Sequence, residues 1–308
     1  MRAFVASLPS WAIGAQAGMA ASEPEMRITL CTISDLTGCL ILNRLLPALR
    51  HHEVSVVLAN RRRQVDIDVR TLAEAWATER TVPVDQIFPL LDRLSPLGGG
   101  DLLTFRQMSR RYGVGMSVVS TPEEWAGGDV LLETRPEFVV SSRFSFILSP
   151  EVIRRISRGA YNLHPGALPA YAGQYPVLRA LAAGEEEIAC VLHETAPEID
   201  AGDVVGVVRV PVVPGRSHFW HRWKAYEAGA GLIETLVAAT AADQTVPAVP
   251  QPAKGKPLPF PGEDELTAAA RAGWPLFRMD EIAELMGRFI EGTDAKAGSS
   301  RAPALVSL

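Results

Sequence analysis

Residues 27–59 read RITLCTISDLTGCLILNRLLPALRHHEVSVVLA, and this stretch decides the fold class. Arg27 to Ile33 is a short apolar run, predicted as a buried strand. Ser34 to Gly38 is a turn. Leu40, Ile41, Leu45, Leu46 and Leu49 then recur at helical spacing up to Arg50, and Val54 to Ala59 is a second apolar run. Strand, helix and strand in this order make a βαβ unit, which implies a parallel sheet with a right-handed crossover. The expected class is therefore α/β, with a mostly parallel sheet flanked by helices.

Downstream, residues 66–94 are predicted mostly helical, followed by a loop over 95–100, a helix over 102–112 and a strand over 115–119. Glu137 to Ser142 and Ala160 to Leu163 are strands, the second ended by Pro165. Tyr175 to Ala183 is a helix with Pro176 in its first turn, where proline is tolerated. Ile188 to His193 and Val204 to Val213 are strands around a loop. Ser217 is a good N-cap for an amphipathic helix reaching Ala241. Its Trp220, Trp223 and Tyr226 are spaced as a core-facing stripe. Gln244 to Glu263 holds six prolines and reads as a linker. Residues 263–290 are helical with a break near Gly273, and Ile282, Leu285, Met286 and Phe289 form an apolar face that suggests a homodimer. The expected division is a disordered extension over 1–25, a catalytic domain over 26–243, and a linker with a small helical C-terminal extension over 244–308. The tail from Gly292 is expected to be disordered.

Composition narrows the function. With 47% hydrophobic and 21% charged residues, the 308-residue chain has ample material for a core. A formal net charge of -5 argues against general nucleic-acid binding, which needs clustered cations. The Arg61-Arg62-Arg63 run is short and reads as a solvated helix start. Cys31, Cys39 and Cys190 lack zinc or disulfide spacing, so a reducing, cytoplasmic setting is expected. No membrane helix is expected. His218 and His221 have no evident third ligand, so no metal is expected.

The chemistry lies in residues 161–169, YNLHPGALP. Asn162 and His164 are two apart on a predicted strand, so their side chains share a face. Pro165 ends that strand, which puts both groups at its carboxyl end, where open α/β sheets place ligands. Glu198-Ile199-Asp200-Ala201-Gly202-Asp203 supplies an acidic turn. An amide, an imidazole and a carboxylate suit acyl transfer: two can donate to an oxyanion, and the third can orient the imidazole or take a proton. No covalent nucleophile is evident, which favours direct transfer to an incoming nucleophile. Asp35 either caps the first helix or touches an acceptor. His193 either satisfies a loop backbone or acts directly.

These residues resemble a known signature. Asn162-x-His164-Pro165-Gly166-x-Leu168-Pro169-x-Tyr171-x-Gly173, then Pro176, Ala180, Gly184, His193 and Ile199-Asp200-x-Gly202, look like the folate-dependent formyltransferase family. The resemblance implies a Rossmann-like formyltransferase fold, 10-formyltetrahydrofolate as formyl donor, and Asn162, His164 and Asp200 as catalytic residues. It places the donor between Arg143, Phe144, Phe146, Ile147 and Leu148 on one side and Thr195, Glu198 and Ile199 on the other. Asp35, Gly173, Tyr175 and His193 fall on the acceptor side. The opening turn lacks a glycine-rich phosphate loop, and the C-terminal region lacks the strands of a tRNA-binding barrel. The acceptor is therefore expected to be a small-molecule amine, with no nucleic-acid or membrane partner. The alternatives are hydrolysis of the donor and a folate- or nucleotide-binding module without catalysis.

Overall fold

The computed structural model describes residues 26–252 and 256–290. The expectations for residues 1–25 and for the tail from Gly292 lie outside the described residues. Seven strands form one sheet: β1 (Arg27–Ile33), β2 (Glu53–Ala59), β3 (Gly115–Val119), β4 (Phe138–Ser142), β5 (Ala160–His164), β6 (Glu187–Glu194) and β7 (Val204–Pro211). Their order is β3-β2-β1-β4-β5-β6-β7. The pairs from β3 through β5 are parallel, and β6 and β7 join antiparallel. The order reverses between β1 and β4, and ligands of such sheets sit beyond the carboxyl ends at that point.

Burial explains why the strands read as they do. β1 is buried along nearly its whole length because helices cover both faces, so its run is continuously apolar. Alternate residues feed opposite cores. Ile28, Leu30, Phe138 and Val140 join the core under the Leu36–Ala48 and His218–Ala241 helices. Cys31, Val57 and Val139 join the opposite one with Trp125, Phe146 and Leu148. Short helices at Pro122–Trp125, Asp129–Leu132 and Pro150–Arg154 cover that second face. They were not anticipated, being too short to show a helical period. Two of them are capped: Thr121 and Ser149 each accept from a backbone N–H, and a proline follows each.

Two expectations need correction, and a third is met: the segment over 66–94 is mostly helical, as expected. It divides into Val65–Asp68, Arg70–Trp76, a π-helical stretch over Ala77–Ile87, and Phe88–Leu94. Pro83, inside the π-helical stretch, cannot donate to an α-helical partner, and the wider turn accommodates it. The next helix starts at Phe105, not 102, because Thr104 and Gln107 form a reciprocal capping box. The aromatic stripe divides. Tyr226 is buried, whereas Trp220 and Trp223 are half-exposed, with Arg216 over the first and Lys224 over the second.

Residues beyond 244 fold back on the sheet domain. Val249 bridges Val204, and Leu258 bridges Gly173. Two helices follow, Glu263–Arg271 and Met279–Gly287. The apolar face of Ile282, Leu285 and Phe289 is buried in the chain's own core, with Phe289 4.9 Å from Phe88 between ring centroids. That burial removes the ground on which a homodimer was expected. Among the described residues, no helix is long and apolar enough to cross a membrane.

Candidate active site

Every residue singled out from the sequence for catalysis, donor or acceptor lines one cleft of about 390 Å³ at the carboxyl edge of the sheet. β1 leads to Asp35, β4 to Arg143 and β5 to Asn162 and His164, while the loop between β6 and β7 carries Asp200. The β5–β6 register sets Asn162 beside His193.

Hydrogen bonds fix the orientation of the polar group. Ser141, next to Asn162 across the β4–β5 pair, donates to Asn162 Oδ1 at 2.9 Å. The amide nitrogen must then face the other way. It donates to Asp200 Oδ1 at 3.3 Å and to His193 Nε2 at 3.1 Å. His193 Nδ1 donates to the Glu194 carbonyl, which leaves Nε2 as the acceptor. His193 lies on β6, where a strand was expected, and bonds both the backbone carbonyl of Glu194 and Asn162. His164 Nε2 donates to the Tyr171 carbonyl at 2.9 Å, and its Nδ1 faces Asp200 Oδ2 at 3.4 Å. Asp200 Oδ2 also accepts from the Gly173 N–H at 2.8 Å.

The charge states follow from these contacts. Burial alone would raise the Asp200 pKa. The His164 imidazole, the nearby His193 ring and the Gly173 N–H outweigh it and hold the carboxyl at about 2. Burial lowers the His164 pKa against the opposing pull of Asp200 and the Tyr171 carbonyl. We take His164 as neutral at pH 7, because only one nitrogen makes a short bond and burial disfavours the cation. Its Nδ1 is then an open proton site beside an ionised carboxylate.

Backbone strain concentrates here. Asp200, Tyr175 and Arg143 all have φ near +50°, a region few non-glycine residues adopt. Gly173, at φ +102°, could not carry a side chain, since a Cβ would lie 2.4 Å from the Leu258 carbonyl oxygen. Gln251 Nε2 donates to the carbonyls of Asp200 and Gly202, so the proline-rich segment straps the Asp200 turn.

Below the polar group is a buried ion network. Asp35 accepts from Gly38 N–H as the helix cap and from Arg143 Nη2 at 2.6 Å. Both oxygens are engaged, so capping and pairing occupy the carboxylate. Burial raises its pKa to about 6, with Arg143 opposing and Glu79 adding to the rise. Glu79 pairs with Arg222 and accepts from Thr37. The Arg143 guanidinium is tied down in this network, so its side chain is not free to meet a donor.

Sequence reasoning missed Ser141, Thr37, Glu79, Arg222 and Gln251. It also misread the arginine run. Arg61 and Arg63 line the cleft rather than starting a helix, and Arg62 is exposed. Gln251 left no signal in its proline-rich surroundings.

Residues 119–227 match the family model described as formyl transferase. A methionyl-tRNA formyltransferase from Moorella thermoacetica is 35% identical over 117 residues, covering 38% of this chain and 37% of that protein. The chain thus spans well under half the length of that relative. Glycinamide ribonucleotide transformylase 1 from Symbiobacterium toebii superposes with a TM-score of 0.51 at 15% identity, over 76% of this chain and 100% of that one. A formyltetrahydrofolate deformylase from Pseudomonas syringae gives 0.50 at 16% identity, over 75% of this chain and 67% of that one. These two likenesses are of fold. Fold and site together define a Rossmann-like, formyltransferase-type α/β domain. Over residues 119–227 the chain is similar to the formyl transferase family, and its fold is that of the two solved structures.

Proposed function

We propose that this chain transfers a formyl group from 10-formyltetrahydrofolate to the amine of a small metabolite. The observation that carries this reading is the mutual geometry of Asn162, His164 and Asp200 at one sheet edge, inside the family-matched segment. The residues present suit the donor. Segments 143–148 and 195–200 both line the cleft, and Ile147 and Ile199 are exposed apolar groups suited to a flat ring. The buried Thr195 hydroxyl has no partner among the described residues and suits a polar ring edge.

The donor supplies an activated formyl carbon. Asn162 Nδ2 trades its long bond to Asp200 for the oxygen on which charge develops. His164 takes a proton from solvent at Nδ1 before transfer and keeps it throughout, donating a hydrogen bond from that atom to the same oxygen while Asp200 stabilises the cation. Asp200 receives the proton released by the attacking amine and passes it to the leaving nitrogen. Gly173, Tyr175 and His193 border the acceptor. Asp35 acts at one remove, by holding Arg143.

The small acceptor is supported by the C-terminal fold-back, which sets Phe260 in the cleft wall. The test incubates the full chain with 10-formyltetrahydrofolate and a metabolite extract, and seeks products one formyl group heavier by mass spectrometry. Such products support the reading. Formate released at catalytic rates without any amine would make water the acceptor and overturn it. Donor binding without any turnover would favour a binding module.

A further inference from the structure

We propose that Arg61 and Arg63 form an oxyanion subsite that holds a carboxylate or phosphate of the amine acceptor. The assignment of this anion to the acceptor rests on the formyl-transfer reading; the anion site itself does not.

The other cleft arginines are committed. Arg143 pairs with Asp35, Arg222 with Glu79, and Arg80 with Asp85 and Asn60. Arg61 and Arg63 also line the cleft, yet neither guanidinium makes an ion pair or hydrogen bond among the described residues. Asp66, the nearest acid in sequence, spends Oδ2 on the Arg63 backbone N–H at 2.8 Å. Each guanidinium instead lies against an aromatic ring. Arg61 sits 5.7 Å from the Phe146 centroid and Arg63 4.9 Å from that of Phe260. Such contacts engage the flat face and steady the plane, leaving the N–H fork at the edge free for a bidentate acceptor.

Electrostatics point the same way. Partial burial depresses the Arg63 pKa; Asp66 opposes this, but Arg61 and Arg143 add to it as like charges. Adjacent cations in a cleft repel, and an anion between them removes that cost. Two residues apart in sequence, their backbones can be separated by at most about 7 Å, so two forks can close on one phosphate or carboxylate. Arg62, between them, is exposed and lies over Trp76, outside the cleft lining. The Arg63 end belongs to a wall made with Phe260 and Tyr175, whose rings are 6.0 Å apart. Arg61 borders the donor segment at Phe146, whereas Arg63 and its Phe260 and Tyr175 wall lie on the acceptor side, and it is on that side that we assign the anion to the acceptor.

The test titrates inorganic phosphate and malonate into the full chain by calorimetry, with and without saturating 5-formyltetrahydrofolate. The proposal expects saturable binding of at least one anion. It expects that binding to weaken at least tenfold in Arg61→Gln/Arg63→Gln, to stay unchanged in Arg62→Gln, and to persist beside 5-formyltetrahydrofolate. Circular dichroism checks the fold. If the double variant does not fold, the single Arg61→Gln and Arg63→Gln variants must each weaken binding several-fold. Absence of saturable binding, or binding that the variants keep, overturns the proposal. Competition with 5-formyltetrahydrofolate assigns the pair to the donor's glutamate and overturns the acceptor assignment. If the anion binds as expected but 5-formyltetrahydrofolate does not bind at all, the formyl-transfer reading fails and the anion site stands.

Discussion

Arg222→Met should destabilise the protein by about 3 kcal/mol at pH 7. Arg222 projects from the His218–Ala241 helix into the cleft floor, where its Nη2 donates to Glu79 and to Thr37. The Arg222 and Glu79 side chains are 7% and 8% exposed, so water cannot replace either partner. Methionine keeps the apolar stem and removes the charge. Glu79 is then left with the Thr37 hydroxyl at 2.8 Å and Arg143 at 3.7 Å. Breaking a buried ion pair from one side costs about 3–5 kcal/mol, and the surviving contacts favour the lower end. With a urea m-value of about 3 kcal/mol/M, the unfolding midpoint should drop by about 1 M. Adding Glu79→Gln removes the orphaned charge and should restore more than half of the loss. In wild type, burial works against the Glu79 charge, but Arg222 and Arg143 overcome it and hold the pKa below 4.5. That contribution is present above pH 4.5 and fades as pH falls through the lowered value. The wild-type advantage over Arg222→Met should shrink accordingly in acid. A double variant that loses the sum of the two single losses would refute the reasoning, as would a single loss below about 1 kcal/mol.

Asp200 is held at about 2 against an ordinary 3.8, which corresponds to about 2 kcal/mol of stability. This is present above pH 3.8 and lost as pH falls through 2, so Asp200→Asn should be less stable at pH 7 and converge on wild type in acid unfolding curves. Gln251→Ala should lower kcat with little change in melting temperature or donor KM, because it loosens the Asp200 turn; equal changes in kcat and stability would contradict a positioning role. Gly173→Ala should impair both stability and turnover, since no side chain fits beside Leu258 at that φ; near-normal unfolding would count against the strap.

The parallel half of the sheet was legible because its strands are buried on both faces, as in the continuously apolar β1. Asn162 and His164 were legible because a two-residue spacing before Pro165 fixes a shared face at a strand end. What stayed hidden depends on contacts distant in sequence. Glu79 reaches the site only because a π-helical stretch turns it inward beside Arg222, 143 residues away. Gln251 acts through backbone carbonyls, for which no side-chain pattern exists. The C-terminal apolar face was visible, but its partner, Phe88, lies on a segment whose packing no local period reveals.

The central claim is tested most directly by comparing wild type with folded Asn162→Ala, His164→Ala and Asp200→Ala in donor-dependent formylation of a metabolite amine pool. The account predicts that wild type yields formylated product and that each variant loses about 100–1,000-fold in rate, with double variants losing far less than the product of the single losses. Folded variants that formylate at near wild-type rates would contradict it.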